Sequence, residues 1–79
     1  MKYKIFDEVN KVGNLKIGDK LISLENNAGN DLIKDEIYTF LKFQRVIGII
    51  YAKRLTDDSV VGVFPDRLAL LVSLKKKIG

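Results

Sequence analysis

The stretch IYTFLKFQRVIGIIY, from Ile37 to Tyr51, decides the fold. Its two halves, Ile37 to Phe43 and Val46 to Tyr51, are rich in β-branched and aromatic residues, which favour strands because they fit a pleated, half-buried surface. Gly48, inside the second half, indicates a bulge or a close approach of another backbone segment. The stretch therefore predicts two neighbouring strands in the middle of the chain.

Turn residues on both sides divide the rest of the chain into further short strands. Lys2 to Phe6 predicts a first strand, and Lys20 to Glu25 predicts another whose alternate side chains face opposite ways. Asn26 to Asp31 is the clearest loop, since Asn, Asp and Gly readily adopt turn conformations. Leu55 to Asp58 predicts a hairpin turn into a strand from Ser59 to Phe64. This pattern is typical of an all-β protein.

Two segments allow a helix as well as a strand. From Asn30, a residue suited to capping a helix, apolar residues follow at helical spacing as far as Leu41, but the β-branched and aromatic content favours a strand. Near the end of the chain, Pro65 could begin a helix that ends at Lys75 to Lys77, where cations are favoured. The alternative to the all-β fold is therefore an α+β fold with a C-terminal helix.

Length and composition indicate one small folded domain over residues 1–79. Of the 79 residues, 47% are hydrophobic and 30% are charged, a balance that supports a packed core and is unlike that of disordered chains. Cysteine is absent, so disulfides cannot stabilise the core, and the expected compartment is the cytoplasm. Acidic residues near the N-terminus, and the lack of an apolar run of about 20 residues, predict neither a signal peptide nor a membrane span.

Three short motifs carry a family resemblance. A Gly-Asp pair opens a strand in IGDKL (17–21), a Tyr-containing strand follows in LIKDEIYTF (32–40), and an Arg-Leu step precedes a last short strand in FPDRL (64–68). Together they resemble the pattern of small SH3-like barrel proteins, many of them encoded by bacteriophages. The resemblance covers roughly residues 16 to 74 and implies a barrel of about five short strands.

Each motif also has a physical role that can be stated. Asp19 can accept hydrogen bonds from neighbouring backbone amides and fix the turn before its strand. Tyr38 can bury its ring while its hydroxyl reaches a backbone partner. The resemblance implies a single turn of tight helix at Pro65 and leaves residues 1–15 as an N-terminal extension. It also implies that alternate residues of the last strand point inward, namely Leu68, Leu70 and Val72.

The sequence offers little material for catalysis. Histidine and cysteine are both absent, which removes the commonest general base, the commonest metal ligand and the most reactive nucleophile. The acid pairs Asp35-Glu36 and Asp57-Asp58 are expected to lie in turns. Oxygen ligands between Asn26 and Glu36 lack the spacing of a calcium loop, and the glycines form no phosphate-binding cluster. We therefore predict no enzyme, no catalytic residues, no metal and no cofactor.

Charge and loops favour a binding role instead. The formal net charge is +4, with basic residues in the middle and at the end of the chain. A rim formed by the Asn26–Glu36 loop and the Gln44–Val46 connection, with basic residues nearby, predicts a protein-binding module. The phage resemblance implies an accessory protein that binds and inhibits or modulates a host protein. The predicted partner-binding residues are Arg45, Tyr51, Lys53, Arg54 and Arg67.

Two further hypotheses stay open at this point, and with them the oligomeric state. Small barrels bind single-stranded DNA or RNA by stacking bases on strand aromatics in a basic groove. Here the aromatics and cations interleave at Tyr38, Phe40, Tyr51, Lys42, Arg45, Lys53 and Arg54. The third hypothesis is a structural subunit that self-associates through an exposed edge strand or through its Leu-rich C-terminus.

Overall fold

The computed structural model of the protein describes residues 2–7 and 11–73, and over this part of the chain it contains no α-helix. The all-β prediction is confirmed. Three single turns of 3-10 helix, Val12–Asn14, Ala28–Asn30 and Pro65–Arg67, interrupt the loops. No helix in the described part is long and apolar enough to cross a membrane. The strands are β1 (Lys2–Ile5), β2 (Lys20–Ser23), β3 (Ile37–Gln44), β4 (Ile49–Arg54), β5 (Val60–Val63) and β6 (Leu68–Ser73).

All six strands belong to one antiparallel sheet with the order β1-β6-β2-β3-β4-β5. Strands β2 to β5 follow one another as a meander, and β6 returns to lie between β1 and β2. The architecture is consistent with a small β-barrel-like fold. It has six strands where about five were predicted, because residues 2–5 of the predicted extension pair with β6 as β1.

Both segments with a helical alternative contain strands. Ile37–Gln44 is the longest strand, in agreement with its β-branched and aromatic content. Pro65–Arg67 forms the predicted single turn of tight helix, and Leu68–Ser73 continues as β6. Lys75 to Lys77, the cationic end of the alternative helix, lies outside the described residues.

The β3–β4 hairpin differs from its predicted boundaries. Residues Arg45–Gly48 form the turn, and β4 runs from Ile49 to Arg54, three residues later than the predicted strand. Gly48 has a φ of 72°, which glycine adopts without strain, and its N–H donates to the carbonyl of Gln44 at 2.7 Å. The turn therefore leaves Val46 exposed to solvent.

The core lies on one face of the curved sheet, which we call the inner face; the opposite one is the outer face. Side chains alternate between the faces, and directly paired residues share a face. The core cluster consists of Leu21, Leu32, Tyr38, Phe40, Ile50, Ala52, Val61, Val63 and Leu68. Ser23 is fully buried as well. Partly buried hydrophobic residues pack against the cluster, namely Phe6, Val12, Leu15, Phe43 and Leu70.

Strand β6 keeps the predicted alternation, with Leu70 opposite the core residue Leu21 and packed against the core, but burial along it is uneven. Leu68 is buried as expected, but Leu70 is only half-buried and Val72 is 52% exposed. Ala69 and Leu71, on the other face, are buried instead. On that face Ala69 is directly opposite Ile22 and Leu71 is opposite Tyr3, so that large apolar side chains of the adjacent strands pack beside them.

Two sequence-based expectations about single residues are confirmed. The N–H of Lys16 donates to Asp19 Oδ2 at 2.9 Å, which fixes the turn before β2. Gly18, inside that turn, has a φ of 99°. Tyr38 is fully buried, and its hydroxyl accepts a hydrogen bond from the backbone N–H of Ile33 at 3.2 Å. These contacts connect the loops to the central strands.

Candidate binding site

Arg45 and Arg54, two of the predicted contact residues, lie at opposite ends of the β3–β4 hairpin. Arg45 is exposed in the connecting turn, with Nη2 3.7 Å from the place that a Cβ on Gly13 would take. Arg54 ends β4 beside the Asn26–Glu36 loop. Strand β3 has eight residues, each of which adds about 3.3 Å, so the two ends of the hairpin are far apart. The predicted rim of loop and connection therefore does not form.

Arg54 is buried, and its guanidinium connects the loops at its end of the sheet. Nε–H donates to the Tyr38 hydroxyl at 3.2 Å, and Nη1 donates to Asp57 Oδ2 at 2.8 Å. Nη2 donates to the carbonyl of Asp31 and lies 3.2 Å from its carboxylate. The hydrogen bond to Tyr38 outweighs burial and, with Asp31, raises the pKa of Arg54. Arg54 is thus a structural residue and does not lie on the surface where a contact was predicted.

Asp57 and Asp58 form the β4–β5 turn. The N–H of Ser59 donates to Asp57 Oδ1 at 3.1 Å, and this bond, followed by the nearby Arg54, lowers the pKa of Asp57 from its ordinary value of 3.8. A carboxyl group whose pKa is lowered by folding stabilises the fold above its ordinary pKa, and that contribution is lost as the pH falls. Asp58 adopts a left-handed φ of 62°, which Asp tolerates. The pair has the turn role predicted for it.

Arg67 is held at the end of β2. Its guanidinium pairs with the carboxylate of Glu25, and its carbonyl accepts a hydrogen bond from the N–H of Leu24 at 2.9 Å. Its Nε is buried and has no hydrogen-bond partner among the described residues. These contacts join the turn before β6 to the chain that leaves β2, so Arg67 is also tied into the fold.

Three lysines share the outer face of the central strands, and we call this surface the lysine face. Lys20, Thr39, Lys53 and Val60 are aligned across β2 to β5 by direct pairing, and Lys42 lies in the next row. Lys42 and Lys53 are exposed. Within the described residues no carboxylate forms an ion pair with any of the three, so their positive charge is uncompensated locally.

Tyr51 lies in the same row as Lys42 and covers a glycine. The register pairs Tyr51 with Lys42 on one side and with Gly62 on the other. The Lys42 ammonium lies 5.3 Å from the Tyr51 ring centroid, a cation–π distance. A Cβ on Gly62 would be only 2.9 Å from Tyr51 Cε1. The ring therefore occupies the space that a side chain at position 62 would need.

Strand β5 forms one edge of the sheet and is next to the lysine face. It pairs with β4, and the turn Ala28–Asn30 lies close to it, but among the described residues no segment other than β4 forms a backbone hydrogen bond with it. Its sequence, VVGV, has no charged residue. Val60 at one end is 58% exposed, and Phe64, just beyond the other end, is 51% exposed. The uncharged sequence of this strand is the signal by which it can be identified as a binding edge.

The arrangement suits binding through a surface. Groups of three or more metal-ligating side chains do not occur in the part of the chain that the structure describes. Of the predicted contact residues, Tyr51 and Lys53 lie together on the lysine face, next to the β5 edge. Arg45 is remote from them at the hairpin turn.

No protein-family model, no curated protein and no solved structure matches this chain.

Proposed function

We propose that this chain is a small, non-enzymatic protein-binding module that accepts an extended segment of its partner as an additional strand beside β5. The observation that carries the proposal is that β5 is an edge strand with no strand paired to it on the side away from β4. The strand is also uncharged, and the apolar side chains of Val60 and Phe64 at its two ends are exposed. Strand addition to such an edge is a recurrent mode of peptide recognition.

The other edge of the sheet supports this choice by contrast. Strand β1 carries Lys2 and Lys4, both exposed, and its register shifts between Lys2 and Tyr3. Charged side chains and irregular pairing are devices by which edge strands avoid pairing with other chains. Strand β5 has neither, which favours it as the receptive edge.

Backbone geometry places free hydrogen-bonding groups along β5. The N–H of Arg54 donates to the carbonyl of Ser59 at 2.8 Å, which marks a hydrogen-bonded position between β4 and β5. Such positions alternate along an antiparallel pair. Val60 and Gly62 therefore direct their N–H and C=O groups away from β4, where a partner strand can bond to them.

Nucleic-acid binding has less support from the geometry. That hypothesis requires aromatic rings on which bases can stack, and two of the three predicted rings, Tyr38 and Phe40, are buried in the core. The third, Tyr51, is partly covered by Lys42 and lies over Gly62. The SH3-like, phage-type host factor implied by the resemblance is one form that a protein-binding module can take.

The proposal is tested by selecting binders from a displayed library of random linear peptides and measuring their affinity by fluorescence anisotropy. We expect the selected peptides to shift amide resonances of β5 and to lose affinity at least tenfold for Val60→Pro, because proline removes an N–H that points away from β4 toward the added strand. The matched control is Val60→Thr, which changes the same exposed side chain and keeps that N–H. Peptides that bind Val60→Pro as well as the unmodified protein would overturn the proposal.

A further inference from the structure

The charge pattern of the sheet indicates what kind of segment the β5 edge accepts. None of the six strands contains an Asp or Glu, whereas basic residues occur in β1 to β4. The described acids lie in turns and loops, several of them paired with Arg54 or Arg67 at one end of the sheet. A partner lying along the strands therefore meets positive charge alone on the lysine face.

The strand register shows how close the lysine side chains lie to a partner strand that pairs with β5. Lys53 is directly opposite Val60 on the outer face, so an outer-face residue of the partner opposite Val60 is two strand spacings from Lys53, about 10 Å between backbones. Val60 is short, and a lysine and a glutamate side chain can meet across it. The partner residue opposite Gly62 similarly faces Tyr51 and, beyond it, Lys42.

Alternation then sets the rest of the pattern. Because successive strand residues point to opposite faces, the partner residues between these acids point to the inner face. There they would lie at the margin of the core, beside Val61 and Val63, which are already buried to the point of being only 3% and 1% exposed, and near the turn Ala28–Asn30, which contacts β5. Apolar side chains at these positions would extend the hydrophobic surface, and charged ones would be desolvated without a counter-charge.

We propose that the segment bound at β5 is acidic, with carboxylates at alternate positions over the lysine face and apolar residues between them. The proposal rests on strand addition at β5 and specifies the chemistry of the strand. The lysines without ion-pair partners supply the charge complementarity, and the exposed ends of the edge supply the apolar contacts.

The probes are three synthetic peptides of equal length that alternate valine with glutamate, glutamine or lysine. We expect the glutamate peptide to bind about tenfold more tightly than the glutamine peptide, as expected for two or three partly exposed charge pairs, and to weaken as salt is added. The lysine peptide should bind least. Lys53→Glu should remove most of the preference for the glutamate peptide, while Lys20 and Lys42 keep the order from reversing. Lys34→Glu, the same change in the loop before β3 at a 56% exposed side chain, should leave the preference unchanged.

The outcomes separate the two proposals. Equal, salt-independent binding of the glutamate and glutamine peptides at β5 would overturn the acidic preference and leave strand addition intact. Failure of all three peptides to shift β5 amides, together with the absence of β5 binders in the peptide library, would overturn both. Oligothymidylate that displaces the glutamate peptide and shifts the lysine-face amides but not those of β5 would indicate a nucleic-acid partner and overturn this inference.

Discussion

Position 54 places an arginine on the inner face of the sheet, in line with apolar residues. Ala52, two residues earlier on the same strand, is fully buried and pairs with buried Val61. The guanidinium is tolerated there because each of its nitrogens has a partner, from Tyr38, Asp57 or Asp31. A buried charge needs such compensation to avoid a large desolvation cost.

We expect Arg54→Met to lower the free energy of unfolding by about 2 kcal/mol, because hydrogen bonds from a charged group are lost. The cost stays below that of breaking a wholly buried ion pair, since the carboxylates of Asp31 and Asp57 are 64% and 52% exposed and can be rehydrated. Urea denaturation measures the difference. Lys53→Met, at the exposed neighbouring position, should change stability by about 0.5 kcal/mol or less. Equal effects of the two substitutions would contradict a structural role for Arg54.

Single-residue roles were predictable where they depend on local chain geometry. The turn contact of Asp19 and the backbone contact of the Tyr38 hydroxyl followed from residue type and near neighbours. The burial of Arg54 did not, because the predicted second strand ended at Tyr51, so the alternation that turns position 54 inward was not extended to it. The partners Tyr38 and Asp31 are also distant along the chain.

Between β4 and β5, the contact of Tyr51 with Gly62 gives an element-scale prediction. Gly62→Ala introduces a Cβ that would lie 2.9 Å from Tyr51 Cε1, so the ring must move away from the strand. We expect a loss of about 1 kcal/mol, the lower end of the cost of overpacking. In a Tyr51→Ala background the space is free, and Gly62→Ala should then be neutral or stabilising, because alanine is less flexible than glycine.

The double-mutant cycle measures this coupling directly. Urea denaturation of the parent, the two single variants and the double variant supplies the four free energies. A cost of Gly62→Ala that is the same with and without the Tyr51 ring would show that the ring does not fill that space. The loss in that case would have to come from the backbone of β5.

Strands and turns were predictable where strand-favouring composition and turn-forming residues indicate the same boundaries. Strand content of β3 and the tight turn at Pro65 followed from β-branched residues and from proline. The pairing of β1 with β6 did not, because it joins the two ends of the described chain and leaves no local signal. The edge position of β5 is likewise a property of the sheet order, which sequence spacing alone does not specify.

At the scale of the whole molecule, charge is separated along the sheet. Acids such as Glu25, Asp31 and Asp57 lie at one end and are paired with arginines, whereas the lysine face carries like charges on adjacent strands. Like charges close together on a sheet are destabilising. The arrangement that attracts an acidic partner thus lowers the stability of the free protein, and salt should reveal this cost.

We expect the free energy of unfolding to rise by about 0.5 kcal/mol when sodium chloride is raised from about 0.01 M to about 0.5 M, because screening weakens the repulsion between exposed lysines. The buried Arg54 pairs are screened less. Replacing Lys20, Lys42 and Lys53 with Gln should remove most of this salt dependence. Replacing Lys11, Lys16 and Lys34, which lie in loops, with Gln changes the net charge equally and should leave it largely unchanged. If both triple variants lose it to the same degree, net charge and not the lysine face governs the response, and the proposed acidic partner loses its electrostatic basis.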